Sequence, residues 1–346
     1  MSRIVSVSVP ATSANLGPGY DALGLALEIR DFVTAQFTDD NKITVEVTGQ
    51  GAGKLPTDAT HLIAKTIIDA CKAFGTEVTG LHVECKNAIP QGRGLGSSAA
   101  AIVAGLVLAS ELTYARASED ELLQMANAIE GHPDNVAACL LGAMTIAWLE
   151  DDGKANSVSM NVHPDISPVL AIPQTELDTH KARGLIPESI PHVDAAFNAG
   201  RSALLVAAMI GDPDFLLEAT EDKLHQPFRA QAYPESMELV AQLREAQIAA
   251  CISGAGPTVI ALSTSDQVAL ASEIIAKSGF TAAPVGVADE GAHQALARAL
   301  AFQVLDQRQQ RALAAIQRDH VDEVEQPRFV QLAQLGVDEA AAERNG

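Results

Sequence analysis

The chain is short of basic residues, has no closely spaced cysteines and contains no apolar run of membrane length. Of its 346 residues, 23 are Lys or Arg against 44 Asp or Glu, a net charge of −21. A field of that sign repels phosphate backbones and excludes general nucleic-acid binding. A polyanion such as a nucleotide must then be held by local backbone donors, a few cations or a metal ion. The four cysteines (Cys71, Cys85, Cys139, Cys251) show no C-x-x-C spacing. That disfavours a disulfide framework or a cysteine zinc site and leaves buried, reduced thiols as the expectation. The nine histidines are dispersed without H-E-x-x-H, against a zinc hydrolase. The longest apolar stretches, 99–109 and 136–149, are too short to span a bilayer and are broken by Gly105 and Gly142. The N-terminus alternates like a strand rather than a secretory signal. A soluble cytoplasmic protein, with no nucleic-acid or membrane partner, is expected.

What is present is ample apolar material, 47% of residues with 19% charged, the profile of a folded chain with enough core to offset the entropy of ordering. The length suits two domains. Alternation predicts strands at 4–9, 42–47, 81–85, 144–148, 169–172, 249–252 and 258–262. Helical spacing predicts helices from Asp58 to Gly75, over 98–112, from Ser118 (a capping box with Glu121) to Gly131, from Pro133 to Gly142, and around 193–210, 235–247 and 265–278. The mixture reads as α+β. The acidic turn Glu150-Asp151-Asp152-Gly153-Lys154 lies near a plausible boundary, dividing the chain into 1–155, 156–300 and a charged, helical tail at 301–346.

The strongest local signal is Pro90-Gln91-Gly92-Arg93-Gly94-Leu95-Gly96-Ser97-Ser98-Ala99-Ala100. Three alternating glycines permit a tight turn, and the helix that follows aims its N–H groups and positive dipole end at the loop, a good setting for phosphate. A tight turn with no ligand remains open at this point. The loop is neither a dinucleotide fingerprint nor a Walker A sequence. The nearer Walker look-alike, Gly49 to Lys54, lacks the first glycine and the final Ser or Thr, and reads as a loop. A second cluster, Pro10-Ala11-Thr12-Ser13-Ala14-Asn15-Leu16-Gly17-Pro18-Gly19-Tyr20-Asp21, presents an amide and a carboxylate, or else an Asx-turn and a cap. A third, Glu130-Gly131-His132-Pro133-Asp134-Asn135, ends a helix on an anion that the macrodipole disfavours, which a metal ion would explain. The fourth comprises Thr179, Arg183, His225, Arg229 and the turn Ser253-Gly254-Ala255-Gly256-Pro257-Thr258. Its two arginines suit carboxylates.

Taken together these motifs resemble the GHMP kinase superfamily, and P-A-T-S-A-N-L-G-P-G-Y-D with E-G-H-P-D-N is similar to its homoserine kinase family. The likeness covers roughly residues 1–290. It implies an N-terminal domain of ribosomal protein S5 domain 2-like fold and a ferredoxin-like C-terminal domain with the site between them, and often a homodimer. It further implies ATP phosphates on the loop from Pro90 to Ala100, and Mg²⁺ on Ser97 or Ser98 and Glu130. L-homoserine falls on Asn15, Asp21, His132, Asn135, Arg183, Arg229 and Gly254, and the implied catalytic groups are Glu130, Ser98, Thr179 and Arg183. Asp21 would meet the substrate ammonium and the two arginines its carboxylate. Thr179 stands where other superfamily members carry an aspartate base, so transfer without a dedicated base is expected. A kinase for another small alcohol such as mevalonate, or a non-catalytic nucleotide sensor, are the alternatives. The family's chains usually stop near residue 300, which leaves the role of 306–346 open.

Overall fold

A computed structural model describes residues 3–175 and 182–294; Thr179 and the expected tail at 301–346 lie outside the described residues. The first half builds a seven-stranded sheet from β1 (Ile4–Asn15), β2 (Gly19–Phe37), β3 (Ile43–Gly49), β4 (Leu81–Asn87), β5 (Met144–Leu149), β6 (Ala155–Met160) and β11 (His293–Gln294). Its main path runs β11–β1–β2–β4–β3, while β5 joins the other end of β2 and carries β6 on its far edge. All pairs are antiparallel except β3 with β4, which are joined by the crossover helix α1 (Leu62–Ala73). Every residue of β1 after Ile4 is buried, so the strand is covered on both faces.

α2 (Ser97–Thr113) is apolar almost all round and runs through the core against α1 and β1. α3 (Glu119–Glu130) opens on the Ser118–Glu121 capping box and closes at Gly131 in left-handed backbone. Pro133 then sits in the first turn of α4 (Pro133–Leu141), where its missing N–H costs nothing.

The second sheet is four-stranded and antiparallel, in the order β10 (Thr281–Pro284), β7 (Val169–Ile172), β9 (Val259–Ala261) and β8 (Ala250–Ile252). It forms its own core with α8 (Pro234–Glu245) and α9 (Val268–Lys277), through Leu239, Leu243, Ala271 and Ile275. Along the chain between β7 and β8 come α5 (His192–Ile210) and the short helices α6 (Leu216–Ala219) and α7 (Gln226–Arg229). By length and composition α5 alone among the described helices is apolar enough to cross a membrane. Here it packs Leu205, Ala208 and Met209 inward and hydrogen-bonds the Pro18 carbonyl through Asn198 and Ser202.

The α+β class holds, but several elements depart from the sequence pattern. The nineteen-residue β2, in a stretch without an assigned element, carries a Leu-Ala-Leu-Glu composition that favours helix. Pairing with β1, β4 and β5 overrides it. α1 starts at Leu62 rather than at Asp58, which closes its own turn on Thr60. The acidic stretch 150–154 is the turn of the β5–β6 hairpin, so the first sheet extends to Met160, and β11 returns to it from the far end of the chain.

Candidate active site

The loop from Pro90 is held from three sides. The Thr12 N–H donates to the Leu95 carbonyl at 3.1 Å, Ser253 Oγ to the Gly94 carbonyl at 2.6 Å, and the Thr258 N–H to the Arg93 carbonyl at 3.3 Å. Arg93 reaches the Pro173 and Gln174 carbonyls beyond β7, both at 2.9 Å. At its entry the buried Asp31 carboxylate accepts the N–H groups of Ala88 and Ile89 at 2.6 and 2.9 Å. Burial pushes Asp31 up to about 7. Asp31 stands in no sequence motif, since a lone acid inside a strand carries no spacing signal.

Gly96 caps α2 in left-handed backbone (φ 65°), and no side chain caps the helix. A Cβ there would lie 1.9 Å from Thr12 Oγ1 and 3.1 Å from Asn135 Oδ1. The first-turn N–H groups of α2 therefore face the loop, as an anion requires. Beside them, Ser98 Oγ donates to Glu130 Oε2 at 2.8 Å, bringing together two of the expected metal-holding residues from different helices.

From α4, His132 Nδ1 donates to Asp134 Oδ1 at 2.8 Å. Burial alone would lower the His132 pKa, but this bond and the nearby charges of Asp134 and Glu130 carry it above the ordinary value. Asn135 Oδ1 accepts from Thr12 Oγ1 at 2.7 Å. The β1–β2 connection adds Asn15 and Asp21, both at positive φ. Asn15 Nδ2 donates to the Gly254 carbonyl at 2.9 Å and Asn15 Oδ1 accepts the Asp21 N–H at 3.0 Å. The Gly254 N–H in turn reaches the Ala14 carbonyl at 3.0 Å. The second glycine turn is thus a brace between the two loops, its polar groups largely occupied by the first half of the chain.

Asp21 and Arg183 bind each other, fork to fork, with both N–O distances 2.8 Å. The resemblance assigned Asp21 to the substrate ammonium and Arg183 to its carboxylate; here the two side chains face each other directly. The Asp21 hydrogen bonds raise the Arg183 pKa further. Tyr20 lies under both arginines, with its ring centre 5.5 Å from the Arg183 guanidinium and 5.4 Å from that of Arg229. Arg229 is 2% exposed. It donates to the Ala182 carbonyl and to His225 Nδ1, and among the described residues no carboxylate pairs with it. Tyr20, Asp134 and His225 complete the constellation; each stood within a sequence cluster but carried no substrate or catalytic role there.

The geometry can be set beside known proteins. The model of the GHMP kinases N terminal domain matches residues 61–143, and that of the GHMP kinases C terminal matches 201–280. A homoserine kinase of Streptomyces coelicolor is 50% identical over 83% of this chain and 93% of its own. Another, from Streptomyces avermitilis, is 52% identical over 75% and 85%. The chain belongs to the homoserine kinase family. A crystal structure of homoserine kinase from Cytophaga hutchinsonii, 28% identical, superposes with a TM-score of 0.76 over 84% of this chain and 97% of that one. Mevalonate diphosphate decarboxylase from Staphylococcus aureus, at 15% identity and a TM-score of 0.63 over 86% and 99%, shares the fold alone.

In this homoserine kinase relative, Gly96 combines left-handed backbone with close approach to Thr12 and Asn135, so a side chain there is costly. Gly96→Ala should cost about 1–3 kcal/mol in backbone strain and weaken nucleotide binding, measured by thermal denaturation and ATP titration. Wild-type behaviour in both would remove Gly96 from the loop's design.

Proposed function

We propose that the protein transfers the terminal phosphoryl group of ATP to the side-chain hydroxyl of L-homoserine, giving O-phospho-L-homoserine and ADP. Relatedness to GHMP kinases implies ATP use. The observation that carries the substrate is Arg229, a buried guanidinium with no carboxylate partner among the described residues, beside the Asp21–Arg183 pair. A buried cation left without an anion is costly, and a substrate carboxylate would complete it. Asp21 supplies the matching anion for an ammonium group. A zwitterionic amino acid answers both demands, whereas mevalonate, with a carboxylate and no ammonium, answers one. The retained pair of Ser98 and Glu130 favours turnover over a sensor.

Ser98, with Ser97 beside it, and Glu130 are the proposed holders of Mg²⁺. They form an oxygen-only donor set suited to a hard cation, and Glu130 meets no cation among the described residues. When bound, the ion neutralises charge on the phosphates. The chain's own groups do the positioning. The N–H groups at the start of α2 and the loop from Pro90 cradle phosphate oxygens, Arg229 and Asp21 hold the amino-acid end, and Asn135 and His132 border the space for the hydroxyl. Thr179 lies outside the described residues, and a threonine hydroxyl is no base at neutral pH. Alignment and charge stabilisation therefore carry the transfer, and the proton leaves late to phosphate or solvent. Such an enzyme serves threonine biosynthesis, and the cytoplasm is its proposed setting.

ADP release from Mg-ATP, measured in parallel with L-homoserine, mevalonate and shikimate, should appear with homoserine only. Turnover with another alcohol, or ATP binding without turnover, would overturn the reading. Arg229→Leu should raise the KM for homoserine about 10- to 100-fold, the scale of a lost hydrogen bond to a charged group, and leave that for ATP nearly unchanged. Equal effects on both would cancel its role. Glu130→Gln should lower kcat about 10-fold or more and shift the Mg²⁺ dependence upward; an unaffected kcat would count against metal holding.

A further inference from the structure

His225, grouped in the sequence with Thr179, Arg183 and Arg229 but given no role there, is fully buried between two parts of the site. Its Nε2 lies 2.7 Å from the Gly17 carbonyl in the loop between β1 and β2. Its Nδ1 lies 3.3 Å from Arg229 Nη1, one turn along α7. An arginine can only donate and a carbonyl can only accept. Both bonds exist together in one state of the ring: neutral, with the proton on Nε2. A second proton on Nδ1 would face the arginine N–H and add a like charge. Burial lowers the His225 pKa, which favours the neutral form.

The surroundings hold the ring in place. The Tyr20 ring stacks against it, tilted, at 5.3 Å between centres. Asp222 is the nearest carboxylate, 3.6 Å from Nε2, but it is occupied by the N–H groups of Leu224, His225 and Gln226. Asp21 is the other acid in electrostatic range and is paired with Arg183. On the loop side, Asn198 and Ser202 hold the neighbouring Pro18 carbonyl. A Cβ at Gly17 would lie 2.5 Å from the Thr220 carbonyl, so the loop presses directly on the segment ahead of α7.

We propose that His225, as a neutral Nε2–H imidazole, is a positioning residue for the amino-acid substrate: it fixes the direction of Arg229 and ties that arginine to the β1–β2 loop flanked by Asn15 and Asp21. The inference rests on the assignment of Arg229 to the substrate carboxylate. Arg229 has three donor nitrogens, and two are spent on Ala182 and His225. The ring therefore decides which edge of the guanidinium is left for the ligand. Without it the planar group can rotate about its last torsions, and a bidentate contact loses its alignment.

Two substitutions separate the two bonds. Asn places an acceptor near the Nδ1 position and keeps the Arg229 contact; Leu removes both. His225→Leu should raise the KM for homoserine about tenfold or more, with the KM for ATP changed less than about twofold. His225→Asn should recover most of that loss, and in an Arg229→Leu background His225→Leu should add nothing further, since the ring acts through the arginine. An equal rise in both KM values, an Asn variant as poor as the Leu variant, or additive effects in the double variant would overturn the proposal. Arg229→Leu with an unchanged KM for homoserine would overturn the substrate assignment itself. A raised KM there with His225→Leu indistinguishable from wild type would sink the role of His225 alone. Circular dichroism and thermal midpoints identify any variant that has failed to fold, and His225→Asn then carries the comparison.

Discussion

Three hydrogen bonds between distant parts of the chain hold the site together: Ser253 Oγ to the Gly94 carbonyl, the Thr258 N–H to the Arg93 carbonyl, and the Gly254 N–H to the Ala14 carbonyl. A glycine-rich loop has many conformations, and ordering it costs backbone entropy at every residue. Here the second glycine turn, which belongs to the other sheet, meets much of that cost by occupying the loop's carbonyls. The N–H groups at the start of α2 are left without a side-chain cap. The arrangement makes the two halves of the chain interdependent, since the second glycine turn and the loop from Pro90 each accept or donate bonds across to the other.

Charge sets the second constraint. A protein of net charge −21 has to bind anionic ligands against its own field. The local means it offers are an uncapped helix start, a buried arginine and an ion pair that is neutral as a unit. The Asp21–Arg183 pair has a further consequence for binding. Its two charges satisfy each other, so under the proposed function a zwitterion that engages both would exchange one set of charged contacts for another. A monovalent anion would leave Asp21 uncompensated, a discrimination by mismatch rather than by attraction.

Asp31 and Arg30 show how buried charge is used for shape. Asp31 ties the end of β4 to β2 just ahead of the loop from Pro90. Arg30 donates to Ser8 and to the Glu290 and Gly291 carbonyls, fixing the returning segment that pairs β11 with β1. Neither residue is near a motif, and neither has a sequence signature beyond a charge within an apolar stretch. Side chains of this kind escape a reading that searches for chemistry at fixed spacing.

The sequence by itself determined the parts whose physics is local. The Ser118 capping box, Pro133 in the first turn of its helix, the left-handed glycines and the run from Pro90 to Ala100 each act within a few residues, so their spacing was enough. The family likeness followed from the same short motifs. Only the tertiary structure decided β2, whose helix-favouring residues become a strand because three partners pair with it. It also decided the Asp21–Arg183 pairing and the placing of His225 between Gly17 and Arg229. Those contacts join residues up to 208 positions apart, and nothing in local propensity or periodicity encodes which distant groups will meet.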